Sequence, residues 1–261
     1  MIRRPNGALL AVATVAFLAA ACGTTPTGPA LTDPREIVTA ALKSTEDAKS
    51  VHLAAIVEGE ATVALPIGGG TGTPLDLTGT TASADIDFVK PAARATFALK
   101  AGLTVNGEVI AVDGKTYLKS TLTGPLYEES AAGAGFFDPS IVGDLTDNLG
   151  DLLLQPGLDL VKGDDAACGS KQCYTVSAEV AAADLGTTGN GALDSLPVNL
   201  AGATLEVTIR VEKDLPYHLA GVTAVLSQPD GSKLTVDVTA SKWDEPVTIT
   251  APPTDQVKPA S

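Results

Sequence analysis

The sequence predicts an α+β protein built on one antiparallel sheet. Three observations carry that expectation. Apolar and polar residues alternate through many short segments, the signature of strands with one covered face and one wet face. Tight-turn dipeptides separate those segments at hairpin spacing. Only three stretches show helical character, and there is no repeating strand–helix alternation, which argues against a Rossmann-like fold.

The first folded element is the helix of "DPREIVTAALKSTEDAKS". Asp33 is its N-cap, Pro34 suits the first helical position, and Glu36 completes a capping-box spacing. Ile37, Ala41, Leu42 and Ala48 supply its apolar stripe. Strands begin with "SVHLAAIVEGE". In "ASADIDF", Ala82, Ala84, Ile86 and Phe88 share one face, with Ser83, Asp85 and Asp87 on the other. "ARATFALK" sets Ala93, Ala95, Phe97 and Leu99 opposite Arg94, Thr96, Ala98 and Lys100. Asp113-Gly114 in "EVIAVDGKTYLKS" is a hairpin signal, while Asn106-Gly107 reads either as a turn or as a bulge. "YTVSAEV", "ATLEVTIRVEK", "YHLAGVTAVL" and "KLTVDVTA" continue the pattern, the last after a Pro229-Asp230-Gly231 turn. The count is about nine strands. Between the two strand groups, "FFDPSIVGDLTDNLGDLLLQPG" reads as a helix capped by Asp138, opened by Pro139 and stopped by Pro156-Gly157. Ile141, Val142, Leu145, Leu149, Leu152 and Leu153 form its stripe. A short helix is also expected in "VAAADLGTT", which starts at Val180.

The N-terminal residues read differently. Arg3 and Arg4 precede an apolar run from Ala8 to Ala20, too short to cross about 30 Å of hydrocarbon as a helix but of the size of a secretory signal core. Leu18-Ala19-Ala20-Ala21-Cys22 resembles a bacterial lipobox, with Ala19 where leucine is usual. The resemblance implies cleavage before Cys22 and a diacylglycerol on its thiol. The other reading is an ordinary secreted protein with a buried free Cys22. The chain has three cysteines, and acylation of Cys22 leaves Cys168 and Cys173 to pair in an oxidising compartment. A zinc site made from Cys168, Cys173, His52 and His218 lacks paired-ligand spacing. "GTTPTGPALTD" then reads as a flexible tether.

Charge and motifs narrow the function. The net charge of −14 argues against nucleic acid, which needs a Lys/Arg footprint. There is no Gly-x-Ser-x-Gly elbow, His-Glu-x-x-His pair or phosphate loop. The glycine-rich "PIGGGTGTP" lacks the lysine and following helix that a phosphate loop needs, so it reads as a flexible loop. His52 and His218 both fall in expected strands and read as structural. Asp85 and Asp87 share a strand face that could hold a cation, or simply face solvent, and Asp164-Asp165 reads as a turn. No enzyme activity and no cofactor or metal are expected. A mismatch of volumes is more informative. A wide sheet whose inward positions include Ala82, Ala84, Ala93, Ala95 and Ala240 is hard to pack to native density with two helices. Either the layers approach closely or an apolar cavity remains, able to take apolar guests.

"SKWDEPVTITAPP" resembles the C-terminal signature of the LppX/LprA/LprF/LprG family of mycobacterial lipoproteins. "FFDPSIVGDL…LLLQPGLDLVKG", "AVDGKTYLK", the lipobox and the tether match further parts of that family in order. The resemblance implies a strongly curved antiparallel half-barrel wrapped over helices around a hydrophobic cavity. It implies a periplasmic or cell-envelope lipoprotein that binds acylated lipid or glycolipid and carries it toward the outer mycomembrane. The corresponding division is a signal peptide (1–21), a tether after lipidated Cys22 (22–32), one lipid-binding domain (33–252) and a flexible C-terminal tail (253–261). Expected cavity residues are Ile86, Phe88, Phe97, Leu99, Leu145, Leu149, Leu152 and Leu153, with Trp243 a packing anchor at the sheet's end. Expected partners are the lipid, the membrane reached through the anchor, and a transporter that loads the lipid onto a monomer. The expected location is the outer side of the cell membrane, with some of the protein secreted. The competing reading is a surface module that assists a transporter or sensor and carries nothing.

Overall fold

The structure, a computed structural model, describes residues 28–63, 73–131, 149–181 and 202–258. It opens with helix α1 (Pro34–Glu46), where the Asp33 carboxylate accepts the Arg35 N–H at 2.8 Å and Pro34 occupies the first turn. Strands β1 (Ser50–Val63), β2 (Thr73–Asp76), β3 (Thr80–Asp87), β4 (Ala92–Lys100), β5 (Thr104–Val112), β6 (Lys115–Ser120) and β7 (Gly124–Ala131) follow. After a helical stretch at 149–154 come β8 (Val161–Lys162), β9 (Ala166–Cys168), β10 (Lys171–Ala181), β11 (Thr204–Glu212), β12 (Leu219–Ser227) and β13 (Lys233–Ser241).

Among the described residues, thirteen strands join one open antiparallel sheet. Its order is β7-β6-β5-β4-β3-β1-β13-β12-β11-β10-β8, with β2 on β1 and β9 on β10. The strands therefore exceed the expected nine. The extra ones include β2, β8 and β9, two to four residues long, too short for alternation to register. Adjacent strands are mostly joined by hairpins. The junction at the centre is long-range: β1 pairs with β13 from His52↔Ser241 to Gly59↔Leu234.

Cross-strand partners share a face, so the register sorts the side chains. The inner face carries the row Gly107–Phe97–Ala82–Ala55–Val238–Val222–Ile209–Val176. Over β10–β12 this face is closed by α1, whose Ile37, Val38 and Ala41 pack with Leu152, Leu153, Val176, Val207 and Ile209. The outer face carries the ion pairs His52–Asp85, Arg94–Glu108 and Arg210–Asp237. It is not wet throughout. Ile110, Tyr117 and Tyr127 form a cluster there beneath Ile249 and Val257. Within the segment expected as a C-terminal tail, Thr254–Gln256 form a 3₁₀ turn and Val257 bridges to Tyr127 of β7.

Several local expectations change. Asn106-Gly107 is neither turn nor bulge but lies inside β5 in unbroken register with β4. A Cβ on Gly107 would stand 2.2 Å from Phe97 Cζ, so the glycine makes room for the Phe97 ring. Asp113-Gly114 does form the β5–β6 turn, both residues at positive φ. Val180 and Ala181 belong to β10 rather than to a helix, and the rest of "VAAADLGTT" lies outside the described residues. So do Cys22, the glycine-rich stretch at 66–72, and Asp138 to Asn148, including Leu145. Cys168 and Cys173 form a disulfide across the β9–β10 hairpin, so neither thiol is free for zinc. A ring this small stabilises by about 2 kcal/mol in the chain-entropy treatment.

Candidate functional site

The candidate site is the part of the inner face that α1 leaves open. Along β3, β4, β13 and β1 as far as Val57, burial falls in one direction. On β1, Val51 is buried, while Leu53, Ala55 and Val57 are half-buried; on β3, Ile86 is buried and Ala84 and Ala82 half-buried. On β13, Ala240 is buried and Val238, Val236 and Leu234 are half-buried. On β4, Ala93 and Ala95 are buried, Phe97 is half-buried and Leu99 is exposed. In every case the buried end is the same end of the sheet. There Val51, Ile86, Ala93 and Ala240 pack together, with Trp243 and Phe88 against them. The face is thus plugged at one end and opens toward the other, across a floor of Val, Ala and Leu on β3, β1 and β13.

The floor takes this form because its residues are small. Ala55 faces Ala82 on one side and Val238 on the other, so the row is shallow and offers only C–H groups. Acyl chains meet nothing there that needs a hydrogen bond, and every methylene taken from water gains about 0.8 kcal/mol.

The plug is held by a polar clamp. His218 is stacked on Trp243 with ring centroids 4.9 Å apart and planes 5° apart. Its Nδ1 meets Ser44 Oγ of α1 at 2.7 Å, and the Trp243 Nε1–H donates to the Leu219 carbonyl at 3.0 Å. Asp244 Oδ2 stands 3.8 Å from His218 Nε2 while its Oδ1 accepts the Lys49 N–H at 2.7 Å. Burial lowers the His218 pKa, outweighing the nearby Glu212 and Asp244 carboxylates, which raise it. Serine, histidine and aspartate thus lie in line, but the serine hydroxyl is buried and the group joins α1 to the start of β12 and to residues 243–244. His218 precedes β12 instead of lying within a strand. His52 lies in β1 and bonds Asp85 at 2.7 Å on the outer face, and the Asp87 carboxylate accepts the N–H groups of Val89 and Lys90. Asp85 and Asp87 are therefore engaged separately. Among the described residues no cluster of metal-ligating side chains is found.

A second concavity, of about 690 Å³, lies beyond the clamp and is lined by Lys171, Arg210, Glu212, His218, Trp243 and Glu245 among others. Its charged lining, with Lys171 paired to Glu212 and Arg210 to Asp237, is the opposite of what an acyl chain requires.

The expected cavity residues separate into groups. Phe97 lies on the open floor. Leu99 stands beyond it at the rim, 39% exposed. Ile86 and Phe88 belong to the plug. Leu152 and Leu153 are buried under α1, with Leu149 packed against the same cluster. The residues that sequence reasoning missed are Leu53, Ala55, Val57, Val236 and Val238. Their alternation was visible in "SVHLAAIVEGE" and "KLTVDVTA", but the pairing of β1 with β13 was not.

Comparison with known proteins agrees with this architecture. Residues 33–249 match the family described as LppX_LprAFG lipoprotein. The chain belongs to that family. The crystal structure of LprF from Mycobacterium bovis is similar at 20% identity and a TM-score of 0.55, over 88% of this chain and 99% of that one. The crystal structure of the Mycobacterium tuberculosis lipoprotein LppX is similar at 16% identity and a TM-score of 0.50, over 83% and 98% respectively. At these identities the likeness shows a shared fold. No curated protein matches the chain. Among the described residues no helix is long and apolar enough to cross a membrane.

Proposed function

We propose that this lipoprotein binds an acylated lipid, with the acyl chains lying on the open inner face over β3, β1 and β13. The observation that carries the reading is the graded burial of that floor, buried at the Trp243 end and half-buried or exposed toward the other, with aliphatic and aromatic side chains facing inward except for Thr80 at the open end. Holding two C16 chains in water costs on the order of 25 kcal/mol, and sheltering them needs an apolar surface and no catalytic group. On this reading residues 33–252 form one binding domain, residues 1–21 are a signal peptide, and Cys22 carries the diacylglycerol anchor at the end of a tether. The ligand is a glycolipid of the cell envelope, received at the cell membrane and carried toward the outer mycomembrane.

The test is the full chain carrying Cys22→Ser, purified and extracted with organic solvent. Mass spectrometry is expected to find a diacyl or triacyl lipid at close to one equivalent. An extract free of lipid, from protein that also takes up none from micelles, would falsify the proposal.

A further inference from the structure

One rim of the sheet carries apolar side chains that belong to neither the core nor the floor. At the open end three turns lie side by side: residues 77–80, 101–103 and 121–123. Lys100 lies against Gly79, and the Thr121 N–H donates to the Asn106 carbonyl at 2.9 Å, which ties the turns into one edge. Leu103 and Leu122 sit at the tips of two of them, 59% and 72% exposed, with Leu99 just behind. Single exposed leucines are ordinary. Three at adjoining positions at the mouth of an apolar face are not scattered.

Their electrostatic setting singles them out further. The chain holds 31 Asp and Glu residues, yet residues 99–107 and 118–127 contain none and carry Lys100 and Lys119. Of the carboxylates that flank the two leucine turns, Glu108 pairs with Arg94 and Lys119 and accepts from the Tyr127 hydroxyl, and Glu128 pairs with Lys258; Asp76, exposed beside the 77–80 turn, accepts the Thr78 N–H. A narrow row of leucine tips without negative charge fits a fluid apolar layer, which needs no shape complementarity. A protein partner needs fitted pockets and an interface of roughly 1,000 Å².

We propose that this rim is a membrane contact, in which Leu103 and Leu122 enter the interfacial region of a lipid bilayer and set the open end of the inner face against it. Acyl chains then pass between bilayer and protein without crossing water. The contact differs from the acyl anchor: the first described residues are fixed at the opposite end of the sheet, where Tyr174 Oη accepts the Leu31 N–H and Tyr217 Oη donates to the Pro29 carbonyl. The contact gives the proposed lipid binding its route of entry, but its test does not depend on that binding.

The chain carrying Cys22→Ser is floated with phosphatidylcholine vesicles, with and without phosphatidylglycerol. The bound fraction is expected to fall at least about five-fold for Leu103→Ser combined with Leu122→Ser, and to stay unchanged for Val161→Ser, an exposed apolar residue at the far edge. Leu122→Trp is expected to give an emission shift to shorter wavelength on vesicle addition, beyond any from Trp243 alone. The double serine variant is expected to retain as much extractable lipid as its parent, which separates this contact from the binding face. Undiminished flotation of that variant, absence of flotation by the parent with both vesicle types, or binding only to vesicles that contain membrane proteins each overturns the proposal.

Discussion

His218 shows how much one side chain organises. It joins three segments distant in sequence, through Ser44 of α1, the ring of Trp243 and the start of β12. Burial depresses its pKa, so the folded protein binds this proton less readily than the unfolded chain. The histidine therefore contributes stability fully above the unfolded value of about 6.5, and that contribution is lost as pH falls toward the folded value. Carboxylates whose pKa is lowered, such as Asp237 and Asp165, add a loss of the same sign only below about pH 4. His218→Gln leaves the Ser44 hydroxyl without its partner and is expected to cost about 1–3 kcal/mol near neutral pH. Denaturant titrations between pH 7.5 and 5.5 are expected to show the gap between the two proteins narrowing as the wild type weakens. A gap that holds or widens excludes the histidine as the source.

At the scale of elements, local chemistry was legible and ambiguous local chemistry was not. Asp33 and Pro34 mark the start of α1 because capping is written in adjacent residues. Asp113-Gly114 forms its turn because both residues tolerate positive φ. Asn106-Gly107 carries the same signal, yet its glycine serves β5 by making room for the Phe97 ring, a reason that exists only once β4 lies alongside. The pairing predicts a coupling. Gly107→Ala is expected to destabilise by about 1–3 kcal/mol through overpacking. In a Phe97→Ala background the same change is expected to cost less than half as much. Equal costs in the two backgrounds, measured by urea unfolding, would show that the ring is not what the glycine accommodates. The cover on the outer face of β5–β7 was not visible for a related reason. Ile110 and Tyr117 are covered by Ile249 and Val257, more than a hundred residues further along the chain.

The whole molecule depends on strand order, which hairpin signals do not fix. Alternation on β1 and on β13 was visible, but only their union places Ala55 between Ala82 and Val238 and makes the open floor continuous. Sequence reasoning therefore chose cavity residues from the leucine-rich stretch and the early strands, and the leucines at 152–153 turned out to fill the core under α1. The floor's position gives a test that needs only neighbouring residues. Ala55 faces inward and is half-buried; Ile56, one residue on, faces outward and is 50% exposed. A tryptophan at either position adds about the same bulk to the same central strand, and neither site is fully packed, so both variants are expected to fold. Ala55→Trp raises a ring in the middle of the proposed acyl seat and is expected to lower extractable lipid at least about five-fold. Ile56→Trp is expected to leave it unchanged. Thermal unfolding checks that the two variants remain equally folded. If both retain lipid equally, the ligand does not lie over β1, and the floor cannot be its seat.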